Sequence, residues 1–187
     1  MRILATVLAF GIMALAAAPP VIKKAAEFTI TEPSGKQLLL SSFKGNVVVL
    51  TFIYTTCPHC QDESRMLTKL YREMGPRGLQ VLGVAFNDNA GILVPAFVEQ
   101  FGVPYPVGAS AREPVLNYLG ISDSVMAPRW VVPQIVVIDR KGNIRAQSPM
   151  QGDPNLQQEA YMRNLIEALL REPGPTTSSS AKKPSSH

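Results

Sequence analysis

The 187-residue chain is poor in cysteine and histidine, with two of each. One cysteine pair cannot form the framework of several disulfides that stabilises many small secreted domains. Both cysteines, Cys57 and Cys60, lie in the short stretch TFIYTTCPHCQD, and one of the histidines is the last residue, His187. A structural zinc site needs four ligands, so this pair favours redox chemistry over metal binding. We expect no metal and no cofactor besides a redox-active disulfide between the two cysteines.

The sequence also lacks a run of charge of one sign. The formal net charge is +4, but lysines and arginines are scattered along the chain, which argues against nucleic-acid binding. The length and the 46% hydrophobic content fit one globular domain, which we expect to be a monomer.

Charge is almost absent from the first 22 residues. Arg2 precedes the apolar run Ile3–Met13, and small residues follow, so we predict a signal peptide over residues 1–16 with cleavage before Ala17. The mature chain would then be periplasmic or secreted. The alternative is an uncleaved membrane anchor, although the run is shorter than the roughly 20 residues that a spanning helix needs. A C-x-x-C pair closes a minimal loop and adds little stability, so in an exported protein it indicates a redox site.

The remaining pattern predicts one domain over residues 27–172 and a disordered tail over 173–187, which is rich in serine and proline. Continuous apolar runs at 47–54 and 79–87 predict buried strands on either side of a helix that begins after Cys57. The other predicted elements are a hairpin at 27–40, helices at 92–101 and 112–119, a strand at 105–107, a hairpin at 134–148, and a last helix with Asp153 as its N-cap.

These features resemble the thioredoxin fold: C-x-x-C at the first strand-to-helix turn, then X-Pro before a β-hairpin and a terminal helix. The segments FTITEPSGKQLLLSSFKGNVVVLTF and GNIR resemble the exported TlpA/ResA-like (redoxin) branch, and the similarity covers about residues 27–171. The resemblance implies an α/β fold with a central mixed β-sheet flanked by helices, an N-terminal β-hairpin and a central insertion. It also implies a thiol-disulfide oxidoreductase.

The two cysteines have distinct expected roles. At the amino end of a helix, unpaired N–H groups and the helix dipole favour a thiolate on Cys57, which makes it the nucleophile. Cys60 lies one turn further along and is the resolving thiol. Pro58 and His59 match the Pro-His pair of DsbA-type oxidants, and His59 would stabilise the reduced form. The scaffold favours a reductase and this dipeptide an oxidant or isomerase, so the direction of electron flow stays open.

By the same resemblance, Pro133 is the cis-proline that faces the cysteine pair, with Pro128 as a rival position. The backbone of Val132 would pair with a substrate peptide, and Trp130 lines the groove or belongs to the core. Thioredoxin-like proteins often carry a buried acid six residues before the first cysteine, but this chain has Thr51 there. Asp88 is the candidate proton relay in its place.

Two other functions fit parts of the pattern. A peroxiredoxin-like peroxidase needs P-x-x-x-T-x-x-C, which neither cysteine satisfies. The stretch FIYTTCP resembles the Sco copper-binding family, which has C-x-x-x-C and a distant histidine, and Cu(I) would still accept two thiolates.

The expected partners are client proteins with thiols or disulfides, for example apocytochrome c, and a membrane redox partner that resets the cysteine pair.

Overall fold

The computed structural model describes residues 18–121 and 130–175. The predicted signal peptide, the rival Pro128 and most of the predicted tail lie outside the described residues. Within the described ranges, one mixed β-sheet has the strand order β1-β8-β7-β4-β5-β6-β2-β3. The strands are β1 (Lys23–Lys24), β2 (Thr29–Thr31), β3 (Gln37–Leu39), β4 (Val47–Ile53), β5 (Leu79–Ala85), β6 (Val107–Ala109), β7 (Gln134–Ile138) and β8 (Asn143–Gln147). The α-helices are α1 (Pro58–Met74), α2 (Ala90–Phe101), α3 (Arg112–Leu119) and α4 (Glu159–Arg171).

The central strand β4 confirms the strand predicted from the apolar run. All seven of its residues are buried, because helices or loops cover both faces of the sheet here. It pairs in parallel with β5 and antiparallel with β7. The connection from β4 through α1 to β5 is the βαβ unit that the sequence predicts.

The sheet separates two hydrophobic core layers. Alternate residues of β4 point to opposite faces, so Val49 joins the layer under α1 and α4 while Phe52 joins the layer under α3. In the second layer the rings of Phe28, Phe52 and Tyr118 contact one another edge-on or tilted. The predicted N-terminal hairpin is confirmed as the antiparallel pair of β2 and β3, and Phe28 and Ile30 contribute to this layer.

The first strand was not predicted. Lys23 and Lys24 pair antiparallel with Ile144 and Asn143, so the ordered body begins before residue 27. Two lysines show no hydrophobic pattern from which a strand could be predicted. They form a strand because they pair with the edge of β8. The chain is held further upstream as well, because the guanidinium of the buried Arg145 donates to the carbonyl of Pro19.

The start of the last helix was predicted wrongly. The Asp153 carboxylate does accept N–H bonds from Asn155 and Leu156, but it caps an isolated turn, and α4 begins at Glu159. This later start also changes the buried stripe of the helix. Ala160 and Tyr161 are exposed, whereas Met162, Leu165, Ile166, Ala168, Leu169 and Leu170 are buried.

Two smaller predictions shift by about two residues. Helix α2 begins at Ala90, which places Pro95 inside the helix and not in its first turn. The strand expected at 105–107 is β6 at Val107–Ala109. A 3-10 turn (Gly75–Arg77) follows helix α1, and Gly78 ends this turn in the left-handed conformation, with φ +102°. Among the described residues, no helix is both long enough and apolar enough to cross a bilayer.

Candidate active site

Cys57 lies where β4 passes into α1. It is the N-cap residue of α1, with extended backbone angles, and Pro58 is the first helical residue. The preceding turn is fastened by hydrogen bonds: the Cys57 N–H donates to the Tyr54 carbonyl at 3.1 Å, and the Thr55 N–H donates to Oδ1 of Asn87 at 2.9 Å. The rigid turn therefore fixes the first cysteine at the carboxyl end of a central strand, as predicted.

The two thiols differ in accessibility. Both cysteines are free thiols, Cys57 is half-buried and Cys60 is fully buried. Pro58 and His59 between them are exposed. An external disulfide can therefore reach the Cys57 sulfur, whereas Cys60 can react only with a sulfur already bound at Cys57.

The loop opposite the cysteines contains the cis peptide bond Val132–Pro133, which confirms the cis-proline that the sequence resemblance implies. Sγ of Cys57 lies 3.8 Å from the Val132 carbonyl oxygen. The buried Gln134 side chain holds this loop, because its Nε2 donates to the carbonyl of Val131 at 2.8 Å and to that of Met150 at 3.3 Å. The structure thus places Val132 and Pro133 next to the nucleophile.

Trp130 belongs to an aromatic cluster beside this loop. Its indole stacks on Phe86 at 5.4 Å between centroids, and the Tyr54 ring meets it edge-on at 6.0 Å. The Arg112 guanidinium lies 4.8 Å from the indole centroid, within cation–π range. Trp130 is half-buried and packs against the second core layer, so its interpretation as a core residue is supported. Its role in lining a substrate groove stays a prediction.

Glu63 is the site residue that sequence reasoning missed. Its carboxyl group is buried on α1, three residues after Cys60, with only 3% of the residue exposed. Both of its oxygens lie 2.9 Å from the hydroxyl of Thr51. The residue paired with Thr51 on β5 is Gly83, so no side chain projects from that strand beside this hydroxyl. Thr51 thus occupies the position of the usual buried acid, and the acid itself comes from the facing helix.

Burial strongly perturbs the protonation of this pair. Desolvation raises the pKa of Glu63 to about 8, although the hydrogen bond from Thr51 acts in the opposite direction. Burial also raises the pKa of Cys60 far above its ordinary value, and the negative charges of Cys57 and Glu63 add to that shift. The Glu63 carboxyl and the Cys60 thiol are therefore coupled proton-binding groups.

Asp88, the sequence-based candidate for the proton relay, is exposed in the loop between β5 and α2. Burial raises the pKa of Tyr54, and the charge of Asp88 acts in the same direction, so Asp88 lies near the rim of the site. One signal could have identified Glu63. It falls on the inward stripe of α1 with Cys60, Leu67 and Leu70, where a carboxylate is out of place.

Metal ligands do not converge elsewhere in the described part of the chain. In residues 18–121 and 130–175, no three side chains of histidine, cysteine, aspartate or glutamate are grouped so that they could hold an ion.

Comparison with known proteins agrees with this site. The thiol-disulfide oxidoreductase ResA of Bacillus thuringiensis is 26% identical over 144 residues, which cover 76% of this chain and 77% of that protein. A thioredoxin-family thiol:disulfide interchange protein from Chlorobium tepidum superposes with a TM-score of 0.65 at 23% identity, over 83% of this chain and 99% of the other. A secreted disulfide oxidoreductase of Mycobacterium tuberculosis, homologous to DsbE of E. coli, gives 0.58 at 19% identity, over 76% and 96%.

The structural neighbours confirm the thioredoxin-like fold. A family profile described as AhpC/TSA matches residues 21–147, which include both cysteines, Glu63 and the cis-proline. Because this match spans well over half of the sequence, the chain belongs to the AhpC/TSA family.

Proposed function

We propose that this chain is an exported thiol-disulfide oxidoreductase of the TlpA/ResA type, which passes electrons from the Cys57–Cys60 dithiol to disulfides in client proteins. The observation that carries the proposal is the pairing of an accessible thiol, held at a helix N-terminus beside the cis-proline loop, with a fully buried second thiol. The ResA relatives carry the same activity in their names. The redox-active disulfide is the only cofactor that this chemistry needs.

The exchange proceeds in two displacements. The Cys57 thiolate attacks one sulfur of the client disulfide, and the other client sulfur leaves as a thiolate. The Cys60 thiol then gives its proton to the Glu63 carboxylate, and its sulfur attacks the Cys57 sulfur. The second client sulfur leaves as a thiolate, and both client thiolates take protons from water. The products are a Cys57–Cys60 disulfide and two client thiols.

The buried Cys60 supports the reductase direction. Burial raises the pKa of Cys60 and so disfavours its thiolate, which makes the reduced pair less stable relative to the disulfide. The dithiol is therefore the better electron donor to clients. Turnover requires a dithiol partner that returns two electrons and two protons, and a membrane protein with an exposed dithiol fits that need. Apocytochrome c, whose cysteines must be reduced, is the proposed client.

His59 supports the opposite direction. It is exposed two residues after Cys57 in the sequence, and the resemblance of the Pro-His pair to DsbA-type oxidants implies that it would stabilise the reduced form. The reduction potential of the Cys57–Cys60 pair decides whether the protein is a reductase or an oxidant. We expect a value near that of thioredoxin, about −270 mV, when the pair is equilibrated with thiol buffers. A value above about −180 mV would make the protein a dithiol oxidase or isomerase.

A trapping experiment tests the roles of the two cysteines. Cys60→Ser should accumulate a mixed disulfide between Cys57 and client proteins, because the second displacement is lost. The matched variant Cys57→Ser should accumulate none, since Cys60 is fully buried. Equal trapping by both variants would contradict the assignment of Cys57 as the nucleophile.

A further inference from the structure

The hydrogen bonds between β4 and β7 stop short of the loop that faces the cysteines. The first residue of β7 is Gln134, which pairs with Phe52 of β4. Before it, Pro133 has no N–H to donate, and the N–H of Val132 has no partner within the described ranges. Strand pairing therefore does not fix where the Val132 carbonyl lies relative to Cys57.

The side chain of Gln134 holds this loop instead. Its Nε2 has two N–H groups and lies 2.8 Å from the carbonyl oxygen of Val131. The same nitrogen lies 3.2 Å from the carbonyl oxygen of Pro149 and 3.3 Å from that of Met150. The N–H of Val131 also donates to the Met150 carbonyl, at 2.9 Å. One side-chain amide thus joins the cis-proline loop to the segment that follows β8.

The position of Gln134 is unfavourable for a glutamine. The residue is fully buried, and its Oε1 has no hydrogen-bond partner in the part of the chain that the structure describes. A buried acceptor without a partner destabilises the fold, and an aliphatic side chain of similar size would avoid that loss. Core packing alone would therefore not favour glutamine here, whereas the two donors on Nε2 explain it.

These bonds leave two neighbouring residues of the loop in different states. Both backbone groups of Val131 are occupied, the N–H by Met150 and the carbonyl by Gln134. The carbonyl of Val132 instead lies 3.8 Å from Sγ of Cys57. A mixed disulfide at Cys57 has no S–H to donate to that carbonyl. Val132 then offers one free donor and one free acceptor, which is the pattern that pairs with an extended peptide.

We infer that Gln134 is a positioning residue, which ties down Val131 and so presents the backbone of Val132 to an extended segment of the client beside Cys57. The inference rests on the proposed function and concerns how the client is held. Gln134 acts through the loop, so its loss should weaken client binding and leave the chemistry of the Cys57 sulfur unchanged. Small disulfides without a peptide backbone should not depend on it.

Two substrates with the same leaving group test this inference. Both are mixed disulfides with nitrothiobenzoate, one of 2-mercaptoethanol and one of the single cysteine in a short alanine-rich peptide. Stopped-flow measurement follows nitrothiobenzoate release by the reduced protein against substrate concentration. In Gln134→Met the half-saturating concentration of the peptide should rise about tenfold, as for the loss of one or two hydrogen bonds. The limiting rate, and the rate with the mercaptoethanol substrate, should stay within about twofold.

Gln147→Met is the matched control in the same hairpin. The Nε2 of Gln147 donates to the carbonyl of Leu119 at 3.0 Å, at the end of α3. We expect this variant to react with both substrates as the unaltered chain does. Equal losses with both substrates in Gln134→Met, or an equal loss of peptide binding in Gln147→Met, would overturn the inference. If the unaltered chain reduced neither substrate, the proposed function would fail as well.

Hydrogen exchange of the loop amides tests the inference without altering Gln134, so it applies even where Gln134→Met does not fold. In the reduced chain we expect the N–H of Val131 to be protected and that of Val132 to exchange freely. In Cys60→Ser with the peptide trapped on Cys57, exchange at Val132 should slow by about tenfold or more. The same variant with mercaptoethanol on Cys57 should show no such change. Unprotected Val132 in the peptide complex would overturn the inference.

Discussion

Glu63 carries the most unusual environment in the site. A carboxyl group in a hydrophobic core avoids the cost of a buried charge by remaining protonated, which is why its pKa rises to about 8. Its hydrogen-bond partner, Thr51, cannot titrate. Glu63 therefore becomes a carboxylate only at the upper end of the physiological range, where it can take the proton that Cys60 must lose.

Replacement of Glu63 by Gln tests this role at nearly constant volume. The rate at which Cys60 resolves a mixed disulfide should rise with pH through about 8 in the unaltered protein, because the carboxylate form accepts the proton. In Glu63→Gln the inflection should disappear, and the rate above it should fall about a hundredfold, in the range typical of general-base catalysis. Quenched-flow measurement of client thiol release against pH checks this.

Asp88→Asn is the matched control. Asp88 is exposed near Tyr54, so its loss should leave the inflection in place. If Asp88→Asn altered the pH dependence of the resolving rate and Glu63→Gln did not, the proton relay would be Asp88, as the sequence suggested.

Local signals account for what could be predicted at this scale. A C-x-x-C pair after an apolar strand and an X-Pro before a hairpin are contiguous patterns, so Cys57, Cys60 and Pro133 could be placed without a structure. Glu63 was overlooked because an acid near the start of a helix usually complements the helix dipole, although its position on the inward stripe of α1 was a signal. Its function depends on which face of α1 meets β4, and that contact joins residues 12 positions apart.

At the level of elements, the N-terminal hairpin docks on the sheet through a close backbone contact. A Cβ on Gly108 in β6 would lie 2.5 Å from the carbonyl oxygen of Thr31 in β2. Only glycine permits this approach, because the contact is with backbone that cannot rotate away. The contact also keeps Phe28 and Ile30 packed in the second core layer.

Gly108→Ala should therefore separate β2 from β6 and lower the free energy of unfolding by about 2 kcal/mol or more. Gly91→Ala is the control: Gly91 lies in α2 with no atom within 4 Å of the added methyl group. Alanine at that helical position should be neutral or stabilising by up to about 1 kcal/mol. Urea denaturation of both variants gives the comparison, and equal stability would show that the hairpin is not held at Gly108.

Element boundaries were predictable where the hydrophobic pattern was strong. Continuous apolar runs identified β4, β5 and β7. In contrast, β1 forms only by pairing with the edge of β8, which lies far away in the sequence. The error at α4 has a similar cause. Asp153-Pro154 is a valid helix-start signal, and its carboxylate does cap a turn, but the chain needs further residues to bring Leu156 into the core before α4 can begin.

At the level of the whole molecule, the buried acid links catalysis to stability. The pKa of Glu63 is about 8 in the folded protein, against an ordinary value of 4.5 for a glutamate side chain. Between these values the folded chain keeps a proton that the unfolded chain has released. The folded state therefore binds more protons, and the free energy of unfolding must fall as pH rises through this window.

We expect stability to decline between pH 5 and pH 8 by a few kcal/mol in total, at most about 1.4 kcal/mol per pH unit. Asp139 does not oppose this trend. Burial works against its ionisation, but hydrogen bonds from Asn143 and Arg145 outweigh it and hold its pKa below the ordinary value, so its contribution is already complete at pH 5.

Urea denaturation at several pH values measures the slope, and Glu63→Gln supplies the reference without the titrating group. If the two curves ran parallel from pH 5 to pH 8, the pKa of Glu63 would not be raised in the folded protein, and an increase in the resolving rate through about pH 8 could not be assigned to its ionisation. A slope that Glu63→Gln removes would mean that the protein gives up stability near neutral pH in order to keep a proton acceptor beside its resolving thiol.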